Sequence, residues 1–167
     1  MSEIVRKVCM VGDPAVGKTS LIRRFVLDSF SDKYLATIGT KVTKKELKIG
    51  NDEIKLMIWD VLGQEHTRLK SVYFKGAKGA LIVCDLSRED TIDGLSEWTE
   101  KFYEVAGKVP VVFIGNKADL AHDDYFEKKV PRIPNSLYLK TSAKTGENVE
   151  KAFRKLAEMI RGDENGF

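Results

Sequence analysis

The stretch with the most specific chemistry is GDPAVGKTS, residues 12–20, which directly follows the apolar run Val8–Val11. It fits the spacing G-x-x-x-x-G-K-[ST], in which glycines let the backbone wrap around an anion with its N–H groups pointing inward. The helix that follows adds the positive end of its dipole. The lysine can reach phosphate oxygens, and the threonine hydroxyl can bind Mg²⁺. The stretch therefore predicts a nucleoside triphosphate site, with contacts from Gly12, Ala15, Val16, Gly17, Lys18, Thr19 and Ser20.

A second part of the predicted site is the carboxylate of Asp60, which directly follows the largely apolar run of residues 55–59. A carboxylate at the carboxyl end of a strand lies where open α/β sheets bind ligands, so Asp60 can share a magnesium ion with Thr19. Gly63 can offer an N–H to the γ-phosphate, and the Gln64 amide can orient an attacking water. Considered alone, each residue also has an ordinary interpretation: Asp60 as a turn residue at the end of a strand, and Gln64 as a solvent-exposed side chain. The combination at this spacing favours a hydrolytic site.

The run Gly115-Asn116-Lys117-Ala118-Asp119 closes another buried strand and indicates a choice of base. The Asp119 carboxylate can accept hydrogen bonds from N1–H and the exocyclic amine of guanine, a pair of donors that adenine lacks. In the later run 141–144 the backbone N–H of Ala143 can donate to the guanine O6, while Ser142 braces the loop. The predicted nucleotide contacts at this end are Asn116, Lys117, Asp119, Ser142, Ala143 and Lys144.

Short apolar runs alternate with amphipathic ones along the whole chain, which predicts an α/β fold with a mostly parallel sheet. We expect a hairpin closed by residues 50–52 and a turn-rich segment without a helix from Ala121 to Asn135. The predicted strands span 5–11, 41–49, 53–59, 79–85, 110–116 and 137–140, and the predicted helices 19–27, 92–105 and 148–160.

Composition restricts the classes of function. The 167 residues suit one domain, and a net charge of +3 is too small to indicate nucleic-acid binding. The two cysteines, Cys9 and Cys84, lie inside apolar runs and are expected in the core. Neither a targeting segment nor a spanning run of apolar residues is present, so we expect a cytoplasmic protein.

These motifs resemble those of the Ras superfamily of small GTPases, in particular its Rab-like branch. The similarity covers nearly the whole chain and includes GDPAVGKTS, TIGT (37–40), WDVLGQE (59–65), GNKADL (115–120) and TSAKTGENVEKAF (141–153). It implies a P-loop NTPase small G domain over residues 1–167, with a frayed end at 162–167. That fold has a six-stranded, mostly parallel sheet with one antiparallel strand and about five helices. The resemblance also implies a Mg²⁺-dependent GTP/GDP switch.

The resemblance assigns roles to residues that would otherwise be ordinary loop positions. Thr37 is implied as a magnesium ligand that also contacts the γ-phosphate, Phe30 as the aromatic packed against guanine, and Tyr34 as a cover for the phosphates. Effectors, exchange factors and GTPase-activating proteins are implied to bind the switch regions around 31–42 and 61–75. We expect a monomer.

The sequence departs from the family pattern in four ways. Leu62 is bulky where alanine is usual, and Pro14 removes an N–H at a loop position that affects hydrolysis in the family. The segment Ala121–Asn135 is shorter than the helix-bearing stretch of the family. The lipidated cysteine tail is missing, so we expect no intrinsic membrane anchor.

Three functions remain open from the sequence. The leading one is a GTPase with slow intrinsic turnover that a partner accelerates, because no arginine lies in an obvious position to act in cis. Gln64 and Lys18 are its predicted catalytic residues. The alternative is a binding module that holds GTP with little hydrolysis, which Leu62 and Pro14 favour. A small-molecule P-loop kinase ranks last, since it would leave Asn116–Asp119 without a role.

Overall fold

A computed structural model of the chain describes residues 3–27, 40–61, 72–121 and 123–162, and within this part six strands form one sheet. The strand order is β2-β3-β1-β4-β5-β6. All neighbouring strands are parallel except the β2–β3 hairpin. The predicted six-stranded sheet with one antiparallel strand is therefore confirmed. The strands are β1 (Glu3–Gly12), β2 (Thr40–Ile49), β3 (Asp52–Val61), β4 (Gly79–Asp85), β5 (Val111–Asn116) and β6 (Ser136–Lys140).

The central strands are apolar on both faces, which is why they occupy the middle of a sheet covered on two sides. Every residue of β4 and β5 is buried. In β1 the side chains alternate between two cores: Val8 and Met10 belong to one, Cys9 and Val11 to the other. Both cysteines are buried and unpaired, as expected. The two cores need a helical layer on each face.

Helices cover both faces of this sheet. On one face α1 (Lys18–Leu27) and α5 (Val149–Arg161) meet through Phe25 and Phe153, whose stacked rings lie 4.1 Å apart. The other face is covered by α2 (Glu89–Asp93), α3 (Leu95–Ala106) and α4 (Tyr125–Lys129). Within the described part of the chain, no helix has the length and apolar character to cross a membrane.

Two local predictions were wrong. The helix expected over 92–105 is two helices, α2 and α3, separated at Gly94, a residue that lowers helix propensity. The segment Ala121–Asn135 does contain a helix, α4. Its five residues are too few for a helical period to show in the sequence, and a single buried side chain, Phe126, anchors it.

The topology places chemistry at one edge of the sheet. Because β1, β3, β4, β5 and β6 all run parallel, their carboxyl ends lie together. That edge carries the residues at or next to these ends, which are Gly12, Asp60, Asp85, Asn116 and Lys140.

Candidate nucleotide and metal site

The loop between β1 and α1 presents its carbonyl groups to the protein. Every carbonyl from Gly12 to Gly17 accepts a hydrogen bond. The donors are Lys18 Nζ to Gly12 (2.8 Å) and Asp13 (2.9 Å), Arg88 Nη2 to Pro14 (3.0 Å), Lys117 Nζ to Ala15 (3.3 Å), Asn116 Nδ2 to Val16 (2.9 Å) and Leu21 N to Gly17 (2.9 Å). In a trans peptide the N–H points opposite to the carbonyl, so the loop N–H groups face away from these donors. This arrangement makes a concave set of donors for an anion.

At two positions of this loop only glycine fits, because neighbouring atoms leave no room for a side chain. A Cβ at Gly12 would lie 2.3 Å from Val83 O, and one at Gly17 would lie 2.2 Å from Asn116 Nδ2. Both have positive φ, +146° and +106°. Ala15 also has a positive φ of 64°. Val16 is fully buried, so it can contribute only its backbone to a ligand above the loop. The loop thus packs directly on β4 and β5.

Lys18 and Thr19 begin α1 at the base of the loop. Lys18 is buried, with 6% of its surface exposed, and its ammonium group is held by the two loop carbonyls. A buried cation at this place balances negative charge brought to the loop. Ser20 follows on the side of the cleft described below.

Thr19 and Asp60 form the pair predicted to bind a metal. Thr19 Oγ1 donates to Asp60 Oδ2 at 2.5 Å, and Asp60 is 1% exposed. The second carboxylate oxygen, Oδ1, is buried without a hydrogen-bond partner. Burial raises the pKa of the Asp60 carboxyl, while the hydrogen bond from Thr19 and the charge of Lys18 oppose that rise. A hard oxygen set with an unpaired carboxylate oxygen fits Mg²⁺.

Asn116 connects the phosphate loop with the segment after β6. Its Nδ2 donates to Val16 O at 2.9 Å, and its Oδ1 accepts from Thr141 Oγ1 at 2.9 Å. The backbone N–H of Ala143, predicted to donate to the guanine O6, points instead to Asn116 Oδ1, at 3.3 Å. Asn116 is 2% exposed, so each of these polar groups would be costly to leave unpaired. The structure brings the two predicted base-contacting segments together through this side chain.

A cleft of about 300 Å³ opens beside Asn116. Its walls are Gly17, Ser20, Asn116, Lys117, Asp119, Leu120, Ala143 and Lys144. Asp119 Oδ1 accepts a hydrogen bond from Ser142 Oγ at 2.7 Å, which fixes the exposed carboxylate on the cleft wall. Lys117 adopts a left-handed backbone conformation (φ 67°) at the turn after β5. The size and polarity of this cleft suit a planar heterocycle.

Sequence reasoning missed a buried acid, Asp85, at the end of β4. It is 1% exposed and pairs with Lys117 Nζ at 2.9 Å and Arg88 Nε at 3.1 Å. Burial alone raises the pKa of its carboxyl, but hydrogen bonds from Ser87, Lys117 and Arg88 outweigh burial and lower the pKa to about 2. The strand-end position that singled out Asp60 applies equally to Asp85 and was the available signal.

Arg88, which directly precedes α2, contacts the phosphate loop. Its guanidinium bridges Asp85 and the carbonyl of Pro14. From α3, Trp98 Nε1 donates to Asp13 Oδ1 at 2.7 Å. These contacts tie the tip of the phosphate loop to α2 and α3. The prediction that no arginine is placed to act in cis on hydrolysis stays a prediction.

Several predicted residues lie outside the described part of the chain. They are Phe30, Tyr34, Thr37, Leu62, Gly63 and Gln64, so their roles stay predictions.

Comparison with known proteins identifies relatives of the whole domain. The family model described as "Ras family" matches residues 7–162. The chain is 38% identical over 162 residues to Ras-related protein Rab-1 of Theileria parva, covering 93% of this chain and 74% of the relative. It is 37% identical to Ras-related protein RABA4b of Arabidopsis thaliana (95% and 73% covered). It is 35% identical to GTP-binding protein ypt1 of Schizosaccharomyces pombe (93% and 79% covered).

Proposed function

The chain belongs to the Ras family, and we propose that it is a Rab-like GTPase switch that binds GTP with Mg²⁺, hydrolyses it to GDP, and presents different surfaces in the two states. The observation that supports this function most strongly is that the predicted phosphate, metal and base contacts within the described part of the chain all lie at the same carboxyl edge of the sheet. There the loop Gly12–Thr19 is joined to the Asp60 carboxylate through Thr19 and to the Asn116–Asp119 turn through the bond from Asn116 to Val16, and the cleft opens beside that turn. The family relationship favours this function over a GTP-holding module without hydrolysis.

Nucleotide binding would divide between two ends of the site. The inward N–H groups of the loop and Lys18 would hold the phosphates, and Thr19 and Asp60, with Thr37 as predicted, would hold Mg²⁺. When bound, the metal supplies charge stabilisation to the phosphate oxygens. The cleft wall at Asp119 would accept the two donors of guanine.

Hydrolysis would transfer the terminal phosphoryl group to water. In this proposal Lys18 and the loop N–H groups stabilise the negative charge that develops on the transferred group. The Gln64 amide orients the water, as the sequence predicts. A partner then raises a slow intrinsic rate.

Partners are predicted to contact the two switch regions, of which the structure describes residues 40–42, 61 and 72–75. The predicted switch regions, 31–42 and 61–75, contain Val42 and Val72, which are 40% and 66% exposed. Trp59, which neighbours the second region, packs at 5.8 Å against the Tyr73 ring inside it. Exposed apolar groups of this kind suit contact with effector, exchange-factor and activating proteins. The single-domain, monomeric and cytoplasmic assignments stay predictions.

Single-turnover hydrolysis tests the proposal. We would load the protein with GTP and Mg²⁺ and follow GDP formation beside a Gln64→Leu variant. We expect slow hydrolysis that the variant reduces by at least about tenfold while its GTP affinity stays the same. Tight GTP binding without hydrolysis in either protein would replace the switch with the occupancy function.

A further inference from the structure

The helix that follows the phosphate loop also reaches the base-side segment. Arg24, in the last turn of α1, donates from Nε to Ala143 O at 3.0 Å and from Nη2 to Lys144 O. Its guanidinium also lies against Gly146, where an added Cβ would be 3.6 Å from Arg24 Cζ. A planar fork of donors suits two neighbouring carbonyls better than a single ammonium does. Arg24 therefore joins α1 to the segment that forms one wall of the cleft.

These hydrogen bonds determine where the backbone N–H groups of that segment point. The N–H of Ala143 faces Asn116 Oδ1, and the N–H of Thr145 donates to Ser142 Oγ at 3.1 Å. Between them, the peptide unit of Ala143 and Lys144 has its carbonyl fixed toward Arg24. Because the peptide is planar and trans, the Lys144 N–H is turned to the opposite side. Both Ala143 and Lys144 line the cleft.

We infer that Arg24 is a positioning residue for base recognition. By fixing the carbonyls of Ala143 and Lys144 toward α1, it aims the Lys144 N–H at the O6 acceptor of a bound guanine. The inference rests on the proposed function. Without Arg24 these carbonyls can rotate toward the cleft, where an acceptor facing O6 repels the base instead of binding it.

The measurement must respond to loss of the contact with guanine O6, and it must distinguish that loss from a general loosening of the cleft. The nucleotide 6-thio-GDP replaces O6 with sulfur, a weaker acceptor, and keeps the N1–H and amine that face Asp119. Inosine diphosphate keeps O6 and lacks the amine. The ratio of Kd values between GDP and 6-thio-GDP therefore reports the O6 contact, and the ratio between GDP and inosine diphosphate reports the Asp119 contact.

In Arg24→Ala we expect GDP to dissociate about tenfold faster, since two hydrogen bonds that order the wall are lost. The preference for GDP over 6-thio-GDP should shrink by several-fold, and the preference over inosine diphosphate should stay. Arg24→Lys keeps the charge and can reach one carbonyl, so an intermediate result is expected. Arg154→Ala is the matched control. It also removes an arginine that donates to a backbone carbonyl, that of Lys48 in β2 at 3.2 Å, and neither residue lines the cleft.

The possible results distinguish failure of the role of Arg24 from failure of the proposed function. Unchanged discrimination against 6-thio-GDP in Arg24→Ala, with or without faster dissociation, would overturn the positioning role. Equal loss of both preferences would also overturn it, because it would mean general loosening of the cleft. If the unaltered protein does not prefer GDP to ADP, the proposed function itself fails, independently of Arg24.

Discussion

Two buried aspartates at the carboxyl ends of β3 and β4, the strands on either side of β1, have opposite electrostatic surroundings. Asp60 has one oxygen paired with Thr19 and one without a partner, and burial raises its pKa. Ionisation of Asp60 is therefore less favourable in the metal-free fold than in the unfolded chain. We expect Asp60→Asn to raise the free energy of unfolding in EDTA by about 1 kcal/mol, because a neutral isostere removes a poorly paired charge. The same variant should make GDP release independent of Mg²⁺, measured by fluorescent GDP dissociation.

Asp85→Asn serves as the matched comparison. Its carboxylate is paired with Lys117 and Arg88, and its pKa is lowered to about 2. A depressed pKa contributes stability above the unfolded value, roughly pH 4, and this contribution is lost as the pH falls toward 2. The variant should therefore lose about 1–2 kcal/mol at pH 7 and progressively less below pH 4. Equal destabilisation by both substitutions in urea unfolding would contradict this contrast.

At the scale of elements, the phosphate loop depends on direct packing against β5. In Gly17→Ala a methyl group would meet Asn116 Nδ2 at 2.2 Å, so Asn116 must move and release Val16 and Thr141. We expect a loss of about 3 kcal/mol or more in stability, together with at least about a hundredfold weaker GDP binding. Urea unfolding and nucleotide titration measure both effects.

Gly76→Ala is the control for Gly17→Ala, because it introduces the backbone strain of a positive φ without a steric clash. Gly76 also has a positive φ, +80°, but an added Cβ would meet nothing within 4 Å. Only conformational strain remains, which is about 1 kcal/mol for a left-handed residue. Nucleotide affinity should not change. If both alanine variants behave alike, the contact between the loop and Asn116 has no special importance.

The elements also show what the sequence can and cannot predict. Buried strands, the hairpin and the motif residues Lys18, Thr19 and Asp60 were predictable, because short local patterns encode them. Arg24 and Arg88 were not, because their partners lie far along the chain, Ala143 for Arg24 and Pro14 for Arg88. An arginine on an amphipathic helix has the same pattern whether it faces solvent or clamps a distant loop.

At the scale of the whole molecule, one ligand would hold together segments that follow four different strands. The phosphate loop follows β1, Asp60 is the penultimate residue of β3, Asp119 follows β5 and Ala143 follows β6. A ligand that binds only this assembled edge stabilises the fold by mass action, about 4 kcal/mol at a concentration one thousand times its Kd. We expect Mg²⁺ with GDP to raise the Tm by several degrees and ADP at the same concentration to leave it unchanged.

Changing Asp119 tests whether base recognition produces this shift. Asp119→Asn replaces one acceptor oxygen with a donor, so guanine, which presents an amine there, should no longer raise the Tm. Xanthosine diphosphate has a carbonyl in place of that amine and should raise the Tm of the variant while leaving the unaltered protein unaffected. The hydrogen bond from Ser142 Oγ to Asp119 Oδ1 can persist with the asparagine oxygen, so the fold should be retained. A GDP-induced shift of equal size in both proteins would mean that the guanine base is not read by Asp119.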